Sequence, residues 1–207
     1  MQPSSREEAI VSLRRATGSS HHAIERLLRL EGEFDRAHYV RVIAGFDAFL
    51  AAWEPRVRAV LPQPWHAWFA ARSRRALVRQ DAEALGVAPV EAPAALLADL
   101  RLTCCASAFG SMYVLEGSAL GGQVVARRAA AALGITADSG GAFFAGWGAD
   151  TGRRWREFRE TLETEIGMSM AARQRACDAA VATFDALAAI FEITLDEPIA
   201  ARPVELR

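Results

Sequence analysis

The sequence predicts an all-α protein. Alanine and leucine dominate, alternating strand patterns are nearly absent, and apolar residues recur in steps of three and four along most of the chain. Glycine and proline cluster between these stripes, where they punctuate helices. The 207 residues, 52% hydrophobic and 24% charged, suffice for one domain with a sizeable core. The expectation is a single domain over 1–207, with its core over about 10–193 and loose termini.

The stripes place helices at roughly 5–29, 35–60, 65–85, 93–118, 119–133, 151–166 and 170–193. Gly32 separates the first two, and Pro62 with Pro64 separates the second and third. Gly86, Pro89 and Pro93 close the third, Gly134 closes the fifth, and the glycine-rich stretch 140–148 precedes the sixth. Ser169 is a plausible N-cap for the last, and Pro198 lies beyond its end.

Several function classes are disfavoured. A net charge of −1 gives no general attraction to nucleic acid or to an anionic membrane. No apolar run approaches the roughly 20 residues that span a bilayer. The opening MQPSSREEAIVSLRR has no apolar signal core, so the expected location is cytoplasmic. Cys104, Cys105 and Cys177 make neither a disulfide framework nor a zinc pattern. All 24 basic residues are arginine, so any cationic anchor is a guanidinium.

The stretch GSSHHAIERLL (18–28) holds two adjacent histidines, which point about 100° apart on a helix. Ile10, Leu13, Thr17, His21, Ile24 and Leu28 trace one mostly apolar face, so His21 is expected to point inward. His22 falls with Arg15, Gly18, Arg26 and Arg29 on a polar face. An inward histidine is either a hydrogen-bonded structural residue or a ligand. Glu25, one turn on, could hold one imidazole nitrogen and leave the other for a metal, or could be an ordinary helix charge paired with Arg29. No carboxylate-rich or thiol-rich pattern surrounds His38 or His66. A lone neutral histidine therefore suits a metal that brings its own equatorial ligands, as haem iron does.

The second informative stretch is FGSMYVLEGSALGGQVVARRAAAALG (109–134). Each of Gly117, Gly121 and Gly122 costs about 1 kcal/mol against alanine inside a helix. Two explanations stand: close helix–helix packing, or a kinked helix whose bare backbone approaches a flat ligand.

With these motifs in hand, a resemblance becomes specific. T-x-x-x-H-x-x-x-E at Thr17, His21 and Glu25, with YVLEGSALGGQ at 113–123, resembles the haem oxygenase family, most closely its bacterial members associated with bacteriophytochromes. RRALVRQDAEALG (74–86) resembles the family's middle helix and GWGADTGRRWREF (146–158) its basic late segment. Together these cover most of residues 10–190.

The resemblance implies a fold that clamps haem between a proximal helix and a kinked distal helix. It implies His21 as iron ligand with Glu25 beside it, and Gly117, Gly121 and Gly122 on the distal side, leaving room for O₂. Arg156, and secondarily Arg14, would meet the haem propionates. The reaction implied takes haem, O₂ and electrons from an external donor (a ferredoxin, a flavoprotein or an ascorbate-like reductant) to biliverdin, CO and ferrous iron. The biliverdin would pass to a bacteriophytochrome. Well-known animal members carry an aspartate where this chain has Ser118, and a hydroxyl cannot carry negative charge. Backbone groups at the kink and ordered water are the expected substitutes. Two rivals remain: a haem-binding or haem-sensing protein without turnover, and a thiaminase-like hydrolase using Cys104 or Cys105.

Overall fold

A computed structural model describes residues 8–29 and 35–196, and every structural statement here concerns those residues. The elements are α1 (Glu8–Leu27), α2 (Arg36–Val60), α3 (His66–Ala70), α4 (Arg75–Ala84), α5 (Cys105–Leu133), α6 (Ala142–Ala145), α7 (Thr151–Ile166) and α8 (Met170–Asp196). Short 3-10 or π turns lie between several of them, and the described residues contain no strand element. The all-α expectation holds. The expected helical residues 5–7 and the expected loose termini, 1–7 and 197–207, lie outside the described residues.

Three expected boundaries are corrected. The helix expected over 65–85 is broken at 71–74, because Arg72 and Arg74 turn inward there and are only 6% and 4% exposed. A continuous helix would have put residues two apart on different faces. The helix expected over 93–118 begins only at Cys105; before it, a 3-10 turn at Ala94–Leu97 and buried Leu97 and Leu100 anchor the connection. Ser107 Oγ accepts from the backbone N–H groups of Thr103 and Cys104 and so starts α5. The boundary expected at 118/119 is absent. α5 runs as one 29-residue helix through all three glycines, and Gly134, at φ +67°, ends it.

α5 is the axis of the molecule. At Gly110 it meets α8 so closely that a Cβ there would stand 2.0 Å from the Ala176 carbonyl oxygen. α1 packs on α8 and α7, while α2 packs on α8 and α4. Aromatic rings fill the core between them, with Phe46 touching Phe143, Phe144 and Phe191, and Phe109 touching Trp65, Trp68 and Phe158.

α6 is too short to hold itself, and Asp81 of α4 fixes its start. The buried Asp81 carboxylate accepts from the backbone N–H of Ala142 at 2.8 Å and of Phe143 at 2.7 Å. Asp81→Ala would leave both donors unpaired and should cost about 2–4 kcal/mol in urea unfolding. Asp81→Asn, which keeps one acceptor oxygen, should recover part of that. A loss within about 0.5 kcal/mol of zero for the alanine variant would mean that α6 is held by its aromatic side chains alone.

Candidate functional site

Three helices set the register of the site. At one end of α7, Glu163 Oε1 accepts from the Ile10 N–H of α1 at 3.0 Å, and Glu165 lies 3.9 Å from Cys105 Sγ of α5. Toward the other end, Trp155 meets the Tyr113 ring at 5.9 Å. The Tyr113 phenol is raised above its ordinary pKa by burial, opposed by neighbouring Thr17 and Arg14 of α1. α1 and α5 therefore run parallel to each other and antiparallel to α7, meeting at Thr17 and Tyr113. One helical turn beyond that contact stand His21 on α1 and Gly117 on α5; Gly121 is a turn further.

His21 corrects its expectation. Its stripe neighbours Thr17 and Ile24 are buried, but 58% of the His21 side chain is exposed. The imidazole meets the Phe184 ring of α8 edge-on, ring centres 5.9 Å apart, and the His22 ring at 6.3 Å, yet most of its surface stays open. Nδ1 lies 3.4 Å from Glu25 Oε2, and among the described residues no hydrogen bond or ion pair reaches Nε2. His22 is exposed and its Nδ1 lies 2.8 Å from the Gly18 carbonyl oxygen, on the solvent side as expected.

Gly117, Gly121 and Gly122 of α5 differ from one another. A Cβ on Gly121 would meet nothing within 4 Å, and on Gly117 only the Trp155 ring at 3.8 Å. On Gly122 it would stand 3.0 Å from the Phe144 carbonyl oxygen, so Gly122 packs against α6 and does not share the open face. Close packing and an open face thus both occur, at different positions. Exposed Leu120 and Val124 continue the apolar edge of α5.

Beneath this face lies a buried charge network that the sequence reasoning missed. Arg72 Nη1 donates to Glu116 Oε2 at 2.7 Å, its Nη2 donates to the Arg154 carbonyl, and Glu157 lies 3.5 Å away. Burial pushes the Glu116 carboxyl up to about 7, against the pull of Arg72 and Arg74. Arg74 Nη2 donates to the Leu115 carbonyl at 2.5 Å and to Ser118 Oγ at 2.7 Å. Its guanidinium also lies over the Phe143 ring, 4.5 Å from the centroid. The signal available was RSRR at 72–75, within the helix expected over 65–85, with arginines two apart that cannot share a helical face.

Arg14 and Arg156 are both exposed. Arg14 neighbours Tyr113, and Arg156 follows Trp155, so both stand on the elements that frame the His21 end. Arg156 has no ion pair or hydrogen bond among the described residues.

The cysteine alternative finds no support at Cys105. Burial and Glu165 push the Cys105 thiol up to about 11, the opposite of activation. Cys104 caps α5, with burial raising its pKa and the Ser107 N–H and hydroxyl outweighing that to lower it. The described residues hold no cluster of three His, Cys, Asp or Glu groups that could form a multi-ligand metal site. No helix among them is long and apolar enough to cross a membrane.

What the geometry defines is an all-α protein in which the exposed His21 imidazole sets Nδ1 beside a carboxylate and keeps Nε2 without a partner among the described residues, on the helix that meets α5 one turn before its open glycines. That donor set fits a planar metal ligand that brings its own equatorial atoms. A family model described as heme oxygenase matches residues 7–193, and the chain belongs to the haem oxygenase family, which degrades haem. No curated protein sequence matches it.

Proposed function

We propose that this chain cleaves haem to biliverdin, CO and ferrous iron, using His21 Nε2 as the iron ligand. The observation that carries this reading is the exposed His21 imidazole, with Nδ1 facing Glu25 and Nε2 free, in a chain of this family. Haem is both the substrate and the source of the oxygen-activating iron, with O₂ and electrons supplied from outside.

The chain's own contribution is placement. Glu25 orients the His21 ring and favours the tautomer that leaves Nε2 as acceptor. Phe184 supports one edge of that ring and limits its rotation. Gly117 and Gly121 leave the α5 backbone bare, so a planar ligand can approach it and O₂ has space beside it. Arg14 and Arg156 supply guanidinium groups for the propionates, which pair bidentately with carboxylates. The electron donor in this reading is a ferredoxin, a flavoprotein or an ascorbate-like reductant. The product is the α isomer of biliverdin, destined for a bacteriophytochrome.

Product analysis tests the reading. Haem turned over with reductant in air should yield biliverdin, seen by chromatography against the four isomers. Gly121→Val adds bulk where the native backbone is open, so it should fold normally yet lower turnover at least tenfold or change the isomer ratio. An unchanged rate and isomer ratio would show that Gly121 does not border the oxygen space. No bilin from the wild-type protein would overturn the proposal.

A further inference from the structure

A row of aromatic rings leads from the open face of α5 to the surface. Trp155 and Phe158 lie three apart on α7, and Trp65 and Trp68 three apart across the start of α3, so each pair shares a helical face. The two faces meet. Trp155 stacks on Phe158 at 5.8 Å and 17°, Phe158 stacks on Trp68 at 6.2 Å and 17°, and Trp68 meets Trp65 edge-on at 5.3 Å. At the inner end, the Trp155 ring lies 3.8 Å from the point that a Gly117 Cβ would occupy, and Tyr113 stands beside it. At the outer end, Trp65 and Trp68 are half-buried, so part of each ring reaches solvent.

Packing alone does not explain the choice of side chains. The chain has ten phenylalanines to fill space with rings, yet three of its five tryptophans stand in this one row. An indole gives up an electron far more readily than a phenyl ring. No hydrogen bond among the described residues holds the N–H of Trp65, Trp68 or Trp155, and none of the three is a buried unpaired donor, so an indole proton can pass to water. Trp53, by contrast, is buried in the core with its N–H fixed on Ser111. Arg72 lies over the Trp68 ring, 4.3 Å from its centroid, and its charge opposes a positive charge on that ring. Among the described residues no guanidinium lies over Trp65, so an electron vacancy comes to rest there.

We propose that this row carries oxidising equivalents away from the haem site: Trp155 gives up an electron, Trp68 refills it across Phe158, and Trp65 refills Trp68. The proposal rests on haem lying between His21 and the glycines of α5. Its oxidant is hydrogen peroxide, which forms when O₂ is only partly reduced. At the haem, one peroxide takes up two electrons and two protons and becomes two waters. Two indoles each give one electron and one proton and become neutral indolyl radicals, and the external reductant returns both to each. Electron transfer weakens steeply with distance, so short steps between neighbouring rings outpace one long step. Phe158 is not oxidised; it keeps the two indoles in contact through a ring. The row thereby spares the porphyrin and His21 from peroxide.

The test treats the haem complex of the full chain with hydrogen peroxide and a nitroso spin trap, then maps trapped residues by peptide mass spectrometry. Wild type should carry the trap at Trp65, above the level at Trp68. Met168 and Met170, 84% and 79% exposed, report direct attack by peroxide and should oxidise alike with and without haem. The apoprotein should show those methionines oxidised and no trapped tryptophan. Trp68→Phe keeps the ring stack and lies away from the open face, so it should bind hemin with a wild-type spectrum. It should lose the trapped signal at Trp65, gain signal at Trp155 or Tyr113, and lose its Soret band to peroxide faster than wild type. If circular dichroism shows that Trp68→Phe does not fold, Trp65→Phe carries the test, with the signal expected to build at Trp68. A wild-type haem complex that leaves Trp65 untrapped would overturn the proposal, as would a folded Trp68→Phe complex with an undiminished Trp65 signal. A wild-type protein with no Soret band before peroxide is added would overturn the functional reading itself, and this inference with it.

Discussion

His21→Ala should abolish the haem complex while leaving the apoprotein folded. The loss should be near complete because the described residues hold no group of three His, Cys, Asp or Glu side chains that could hold the metal in its place. His22, the nearest imidazole, is turned away, ring planes 89° apart, with Nδ1 against Gly18 O. Stability should change by less than about 0.5 kcal/mol, since the side chain is 58% exposed and its two ring contacts are edge-on at 5.9 and 6.3 Å. Absorption spectra of the hemin-loaded variant are the readout. Wild-type spectra in His21→Ala would remove the proximal assignment. His22→Ala should keep the wild-type spectrum, and its loss would exchange the two histidines.

The second large effect is on the fold. Gly110→Ala should cost about 3 kcal/mol or more, because the new Cβ would lie 2.0 Å from the Ala176 carbonyl oxygen, with its Cα and carbonyl carbon each at 2.5 Å. The obstacle is backbone, not a side chain that can swing aside, so α5 and α8 must separate along their contact. That separation would also strain the buried hydrogen bonds one residue on, where Ser111 Oγ accepts from Trp53 Nε1 at 2.7 Å and meets Thr183 Oγ1 at 2.6 Å. Urea unfolding measures the cost. Gly121→Ala, on the same helix with open space around it, is the matched control and should fall near zero or slightly stabilise the helix. Equal losses at the two positions would mean that helix propensity, not the α5–α8 approach, governs both.

Periodicity and punctuation made most of the helices legible. α2, α7 and α8 begin and end near where Pro62, Gly134 with the 140–148 stretch, and Ser169 with Pro198 suggest. What failed is instructive. Residues 71–74 looked helical because Ala and Arg are good helix formers, and the RSRR spacing says only that Arg72 and Arg74 cannot share a helical face, not that both enter the core. Their partners, Glu116, Ser118 and the Leu115 carbonyl, lie about forty residues away. The three glycines suggested a break in α5 that the structure lacks. The favourable packing of Gly110 and Gly122 offsets their propensity cost, and neighbouring Ala, Leu and Val keep the helix continuous.

At the candidate site, the sequence distinguished His21 from His22 by face but misjudged depth. The stripe argument assumes that every position on an apolar face is covered, and at His21 one edge-on ring, Phe184, leaves the imidazole open although Thr17 and Ile24 on either side are buried. For Gly122 the packing alternative applies, against a partner the sequence hides: α6, only four residues long, is invisible to periodicity yet sits directly against that glycine.

The most direct measurement is an absorption spectrum of the purified chain with one equivalent of hemin, recorded before and after adding ascorbate or another reductant in air. The account predicts a sharp Soret band from an imidazole-ligated complex, then its loss with new absorbance toward the red as biliverdin forms. A Soret band that persists as a stable oxygen complex would contradict turnover and leave a haem-binding protein, and no Soret band at all would contradict the site.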